Sequence, residues 1–367
     1  MRREYDYSLD RTSRKHVCPK CGRKTFVLYL DGNGLALDPT VGKCDRKDNC
    51  DWHYPPRDFF RDHASLCTLI GRNESHRGRL GSRYGRPGWQ RREEYQEPSY
   101  MEPRLMTASQ KEYGRNPLMR YLHGLFDRIL DAGRIDGIAR MMGVGTSRQF
   151  GGSVVFWQVD PFGHIRSGKI MGYDAETGKR IKKPYPQVKW VHSLLRDTHP
   201  GYRFGQCYFG AHTIAGADRH CRELREEMES IGEVSNCVPT IWLFESEKAA
   251  LIVKLALAWC NALDVFYPMA CGGCEGFNPT EEKLRNPYSA VRLLKGRQVV
   301  LFPDEGKYEE WKQKAEGLKG YCEKVWISAT MEAMGESGSG DGFDDIIIRY
   351  VEKGEEERLV ELITYSY

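Results

Sequence analysis

The sequence predicts an α/β fold, a mainly parallel sheet with flanking helices, preceded by a β-rich α+β subdomain and an N-terminal metal-stapled β-ribbon. Three observations carry this expectation. Over residues 236–367 short apolar strands alternate with helical stretches, as they do where crossover helices join parallel strands. Residues 150–215 are strand-like, and residues 1–62 hold four closely placed cysteines around a hairpin pattern. With 367 residues the chain has room for two to three domains at roughly 150 residues each. Its 40% hydrophobic and 29% charged content excludes collagen-like, mucin-like and wholly disordered classes. Composition divides it into residues 1–62, a flexible Arg/Gly-rich basic linker over 63–114, a subdomain over 115–235 and the α/β part over 236–367.

The front segment contains Cys18-Pro-Lys-Cys21-Gly, two thiols three apart followed by a glycine that allows a tight turn. Cys44 and Cys50 form a second pair after 22 intervening residues. Between the pairs, Phe26–Leu30, the turn Asp31-Gly-Asn-Gly34 and Leu35–Leu37 read as a hairpin. A hairpin with thiolate pairs at one end is a zinc β-ribbon, in which a tetrahedral Zn²⁺ supplies folding energy that so short a segment lacks. The second spacing is wide, which leaves His53 as an alternative to Cys50 for the fourth ligand. Lys20, Arg23, Lys24, Lys43, Arg46 and Lys47 surround the cysteines and favour a phosphate-facing surface, with Asp45, Asp48 and Asp51 interleaved.

Residues 71–92 carry seven Arg, five Gly and one acidic side chain. Such a stretch buries too little apolar surface to order itself; it reads as a nucleic-acid tether, with Tyr84 and Trp89 as stacking groups, or as a plain connector. From Asn116 an N-cap, a first-turn proline and helical apolar spacing predict a helix. Ser153–Val159, a Pro-Phe-Gly turn and Ile165–Tyr173 predict paired strands, with Trp157, Trp190 and Trp242 in apolar runs as core. Arg166, Lys169 and Lys189 are candidate contacts to nucleotide or template phosphates, or else ordinary surface charge. Arg219–Ile231 is a charged amphipathic helix.

The α/β part places Glu245 where the apolar strand Thr240–Phe244 gives way to a helix over Glu247–Trp259. Asp304 follows the strand Arg297–Phe302 in the same way, before a helix over Tyr308–Lys319. Side chains just past parallel-strand C-termini share one crevice, so these carboxylates converge, with Asp341, Asp344 and Asp345 as a later acidic group. Converging carboxylates suit a hard cation such as Mg²⁺, which orients phosphates for transfer. Cys271-Gly-Gly-Cys274 reads as a tight turn after the strand Val265–Ala270, with a redox or metal pair as the alternative.

Strand–Glu–helix, strand–Asp–helix and a late Gly-aromatic-Asp together resemble the toprim domain of bacterial primases, topoisomerases and related nucleases. That resemblance implies Glu245, Asp304 and Asp344 as catalytic, Mg²⁺-binding acids, with Asp345 as a further ligand. Val154–Lys169 is similar to the β-rich segment that precedes toprim in DnaG-type primases, and Val188-Lys189-Trp190 resembles their basic-aromatic stretch. More narrowly, Phe-Trp-Gln-Val-Asp, Gly-Lys-Ile-Met-Gly-Tyr, Glu-Ser-Glu-Lys-Ala-Ala and Leu-Phe-Pro-Asp resemble zinc-ribbon plus toprim-like proteins of Bacteroidetes mobile elements. Two positions depart from the toprim pattern: Ser246 stands where glycine is usual, and Gly306 replaces the second acid of the paired-aspartate motif, with Glu305 or Glu309 as possible substitutes.

The resemblance implies a primase-like, Mg²⁺-dependent nucleotidyl-transfer protein acting on single-stranded DNA or a primer-template, with nucleotides as substrates and a helicase encoded elsewhere as partner. The alternatives are an inactive DNA-binding accessory factor and a toprim nuclease. Charge agrees with a polyanion partner. Residues 1–120 carry 24 basic and 16 acidic side chains, whereas the remainder carries 31 and 35, so a net of only +4 conceals a basic front. No apolar run approaches the ~20 residues of a membrane span. Twelve cysteines without a signal peptide point to a reducing cytoplasm.

Overall fold

The computed structural model describes residues 7–12, 14–31, 36–38, 40–46, 50–62, 95–195, 198–234, 238–262, 266–273, 276–334 and 340–365. They belong to two units, residues 1–72 and 73–367. Lys47, Asp48, Cys274, the Gly-Asn-Gly turn and the Arg/Gly segment with Tyr84 and Trp89 lie outside the described residues.

The first unit is a small antiparallel sheet. Strands β1 (Tyr7–Leu9), β3 (Lys24–Asp31), β4 (Gly42–Cys44) and β5 (His53–Tyr54) lie side by side in that order, and β2 (His16–Val17) also pairs with β3. The expected hairpin exists as a Leu30–Ala36 bridge and a Leu37 N–H bond to the Tyr29 carbonyl. Gly42 is required by close approach: a methyl there would lie 2.3 Å from the Val27 carbonyl oxygen. Helix α1 (Pro56–Asp62) closes the unit. Among the described residues its buried apolar side chains besides the cysteines are Phe26, Val27, Leu28, Val41 and Phe59, too few to hold a fold without a further crosslink.

In the second unit, residues 95–114 were expected to be linker but are packed. The Met101 N–H bonds the Ile165 carbonyl at 2.8 Å, Met101 is buried, and Pro103–Ser109 forms helix α2. Helix α3 (Pro117–Phe126) starts as its sequence dictates, with Pro117 in the first turn and the Asn116 side chain accepting from the Met119 N–H. Helix α4 (Ala132–Met141) leads into an antiparallel sheet of β6 (Val144–Ser147), β7 (Ser153–Val159), β8 (Ile165–Met171) and β9 (Val188–Trp190), in that spatial order. Alternate residues of β7 serve different cores. Val154 and Phe156 join the main core, while Val155, Trp157 and Val159 pack with Met101 and Ile165. Trp157 is buried as expected; Trp190 is half-buried and rests against His192 and Phe204.

A one-turn helix, α5 (Val191–Leu194), and the longer α6 (Ile214–Ser230) precede the α/β part. Helix α6 begins five residues before the expected Arg219, because two of its three buried residues, Ile214 and Ala217, lie upstream of the charged stretch. Strands β10 (Thr240–Phe244), β11 (Phe266–Ala270), β12 (Gln298–Phe302) and β13 (Lys324–Ile327) form a parallel sheet in the order β11-β10-β12-β13. Helix α7 (Glu247–Trp259) joins β10 to β11, the short α8 (Glu281–Arg285) precedes β12, and α9 (Tyr308–Glu316) joins β12 to β13. Helices α10 (Thr330–Met334), α11 (Phe343–Lys353) and α12 (Glu356–Tyr365) complete the chain.

Both faces of this sheet are covered. Trp242 and Phe244 point into one core with α7 and α11; Ile241 and Leu243 point into another with Trp311 and Ala315 of α9. Strand order reverses at β10: the chain steps to β11 on one side, then returns to place β12 on the other. Right-handed crossovers in opposite directions put α7 and α9 on opposite faces. Among the described residues no helix is long and apolar enough to cross a membrane.

Trp242 is fully buried, with ring centroids of Phe266, Phe302 and Phe343 at 4.4, 4.9 and 6.3 Å. Trp242→Ala should cost about 3–5 kcal/mol, read as a lower urea midpoint, and Trp242→Phe should cost clearly less.

Candidate metal centres and the carboxylate crevice

At the ribbon, the sulfur atoms of Cys18, Cys21, Cys44 and Cys50 all lie within 4.8 Å of one another. Cys18 and Cys50 are 3.7 Å apart and Cys21 and Cys44 4.0 Å. A tetrahedral zinc with ~2.3 Å Zn–S bonds has sulfur–sulfur edges of roughly 3.8 Å, so the donor set fits that ion. The local sequence explains how the thiols get there. Gly22 takes a positive φ of 68° and its N–H bonds the Cys18 carbonyl, closing the first turn. In the wider pair the Cys50 N–H returns to the Arg46 carbonyl at 2.9 Å. The backbone N–H of Arg23 is the main cause that lowers Cys21 to a pKa of about 6, and Thr25 Oγ1 lies 3.3 Å from Cys44 Sγ. His53 is not a ligand: its Nε2 bonds the Tyr29 hydroxyl at 3.0 Å and its ring stacks on Tyr29.

Residues 5–65 match the family described as a zinc beta-ribbon finger. The front unit is a zinc ribbon. Around it Lys20 donates to the Cys50 carbonyl at 3.0 Å, Lys24 is exposed and Lys43 half-buried, while Lys15 pairs with Asp45. Residues 116–224 match a domain of unknown function, DUF6371, which covers the antiparallel sheet and most of α6. No curated protein matches the chain.

The second constellation lies at the C-terminal edge of the parallel sheet. Glu245 directly follows β10 and Asp304 lies two residues beyond β12, so the two flank the point where strand order reverses. The Glu245 carbonyl accepts from the Gly272 and Gly273 N–H groups at 3.0 Å, which ties the turn after β11 to the same edge. Ser246, unexpected beside toprim sequences, is the N-cap of α7 and accepts from the Ala249 N–H at 3.0 Å. Gly342 brings the late acids in. A methyl on it would lie 2.8 Å from Asp344 Oδ1 and 3.0 Å from Asp304 Oδ1, so both oxygens converge on that backbone. Asp345 instead reaches back to the Gly342 N–H at 2.8 Å and caps its own helix. Asp344 is therefore the late acid that faces Asp304.

Lys248 sits among these groups, 2.9 Å from Asp344 and 3.8 Å from Asp345. Burial opposes its charge, but the two aspartates more than compensate, and its pKa is raised. Asp304 feels the reverse. Burial first, then the like charges of Glu245, Asp344 and Asp345, push it up to about 8, with Lys248 opposing. Of the candidate substitutes for the missing second aspartate, Glu305 is half-buried and Glu309 exposed. Glu305 accepts from the Gly340 N–H at 2.7 Å, and Glu309 is exposed and pairs with Lys312. Gly306 itself has a positive φ of 73°, where an L side chain is strained. Among the described residues only the four cysteines bring three or more ligand atoms within 4.8 Å of one another.

The basic residues expected at phosphates are differently disposed. Lys169 is buried; its Nζ donates to Glu247 Oε2 and to the Gly272 carbonyl, both at 3.0 Å. Arg166 is buried and donates to Asp160 at 2.8 Å. Lys189 is exposed and bonds Gln149. Glu247, buried beside Glu245, was not singled out in the sequence, although a second acid two residues after the first was the available signal. Cys271 is buried; burial pushes its thiol up to about 12, and it donates to the Gly273 carbonyl, as an inert turn residue would.

Two outcomes follow. The purified chain should carry one zinc, lost from Cys18→Ser and Cys50→Ser but kept by His53→Ala, as counted by metal analysis. In Mg²⁺-free buffer the folded chain holds a proton on Asp304 that the unfolded chain has already released near its ordinary pKa of 3.8. Stability contributed there is complete below about pH 4 and lost as pH rises through about 8. Asp304→Asn should flatten that fall in a urea-midpoint series and be the more stable form at pH 9.

Proposed function

We propose that this chain is a toprim-like, Mg²⁺-dependent nucleotidyl-transfer protein that acts on single-stranded DNA in the manner of DnaG-type primases. One observation carries the reading: Glu245, Asp304 and Asp344 converge at the strand-order reversal of a parallel sheet, with Asp304 raised to about 8 by burial and then by its acidic neighbours. Carboxylates crowded this way repel one another until a cation neutralises them. Mg²⁺ held there supplies charge neutralisation and Lewis acidity toward phosphate oxygens. The residues themselves do the positioning. Glu245 is fixed by the end of β10, Asp344 is held by Lys248, and Asp304 gives up its proton when a cation takes its place. The zinc ribbon, with Lys20, Lys24 and Lys43, and the basic linker fit the role of holding a template strand.

A second reading, a DNA-binding scaffold without catalysis, is favoured by Gly306 and by the exposed position of Glu309. Template-directed incorporation of labelled nucleotides with Mg²⁺ decides between them. The wild type should give product, and Glu245→Ala/Asp304→Ala should fall to background while binding DNA as before. Strand cleavage in place of synthesis would reassign the chain as a nuclease. Absence of both activities, with DNA binding intact, would leave the scaffold.

A further inference from the structure

Beyond β11, on the same edge of the second unit, a cleft of about 550 Å³ is lined by Arg203, Phe204, Gln206, Lys283, Asn286 and Tyr288 among others. We propose that this cleft binds a nucleobase, with Phe204 as the stacking platform. This deepens the nucleic-acid part of the reading above and rests on it.

Phe204 is 39% exposed, unusual for so large an apolar ring, and lines the cleft. Its other side is built up. His192 stacks on it at 4.2 Å between ring centroids and 16°, Trp190 lies at 5.2 Å, and Tyr202 stacks on His192 at 6.0 Å and 6°. The stack is anchored at two points: Ser167 Oγ and His192 Nδ1 are 2.8 Å apart, and the Tyr202 hydroxyl donates to the Arg166 carbonyl at 2.6 Å. The Ser99 N–H donates to the Arg203 carbonyl at 2.8 Å and the Arg203 N–H to Ser99 Oγ at 3.0 Å, which holds the extended segment that carries Phe204. Gly205 lets this segment pass Pro98, since a methyl there would lie 2.6 Å from that ring. A ring held this rigidly loses little entropy when a flat partner stacks on it.

The other walls suit the edges and the phosphate of such a partner. Gln206 and Asn286 offer amides for base edges; Arg203 and Lys283 offer positive charge, with Glu282 as an acidic side chain in the lining. Gln206 also connects the cleft to the carboxylates. Its amide donates to the Cys271 carbonyl at 2.8 Å, and the next residue, Gly272, donates to the Glu245 carbonyl. A base in the cleft thus lies one turn of chain from the acidic edge.

The test compares a labelled oligothymidylate with an abasic strand of equal length, at fixed salt in chelator-free, Mg²⁺-free buffer, using the full chain. Stacking predicts that the wild type prefers the base-bearing strand by about 5- to 100-fold. Phe204→Ala should lose that preference without changing abasic binding, and Phe204→Tyr should keep it. Glu245→Ala/Asp304→Ala should also keep it, which separates this proposal from failure of the catalytic one. Competition by free thymidine monophosphate assigns the cleft to an incoming nucleotide; resistance to it assigns the cleft to a base within a strand. Equal affinity for the two strands, including no binding to either, overturns the proposal, as does an equal loss on both strands in Phe204→Ala.

Discussion

Strand β10 carries Ile241, Trp242, Leu243 and Phe244 in succession, all essentially inaccessible to water, and so needs apolar cover on both faces. An antiparallel strand with one wet face would expose half of that run. Helices on both sides are the available solution, and neighbours that leave β10 in opposite directions place them there. The reversal of strand order is a by-product of this covering problem. It leaves the ends of β10 and β12 adjacent with no crossover helix over them, which is why the crevice that gathers Glu245 and Asp304 exists.

The electrostatics of that edge follow from who is paired with whom. Lys169 neutralises Glu247 and Lys248 neutralises Asp344, both pairs largely buried. Such pairs contribute little net stability, but loss of one partner leaves a buried charge and is costly. They therefore fix where α7 and α11 sit relative to the sheets more than they strengthen the fold. Asp304 is raised first by burial and then by three acidic neighbours, with Lys248 opposing.

Much of this was legible in the sequence because it depends on local chemistry. Cys-x-x-Cys-Gly encodes a turn whatever surrounds it, Asn116-Pro117 encodes a helix start, and the apolar runs of β10 and β12 encode burial. What was not legible depends on distant partners. The fourth zinc ligand was open between Cys50 and His53 until the pairing of β4 with β5 turned His53 toward Tyr29. Lys169 and Arg166 look like phosphate contacts in a linear reading, yet each faces an acid that folding supplies, Glu247 from 78 residues downstream and Asp160 from across its own hairpin turn. Residues 95–114 look like linker because their few apolar groups are scattered; Met101 acquires its pocket only from β7 and β8.

The two units are held together by different physics. In the ribbon, the ion stands in for a core that its few buried apolar side chains are too small to form, so metal and fold are one equilibrium. In the larger unit, extensive cores on both faces of the parallel sheet hold the acids in place without any ion. Loss of zinc therefore unfolds the ribbon, whereas the acidic edge keeps its shape without any ion.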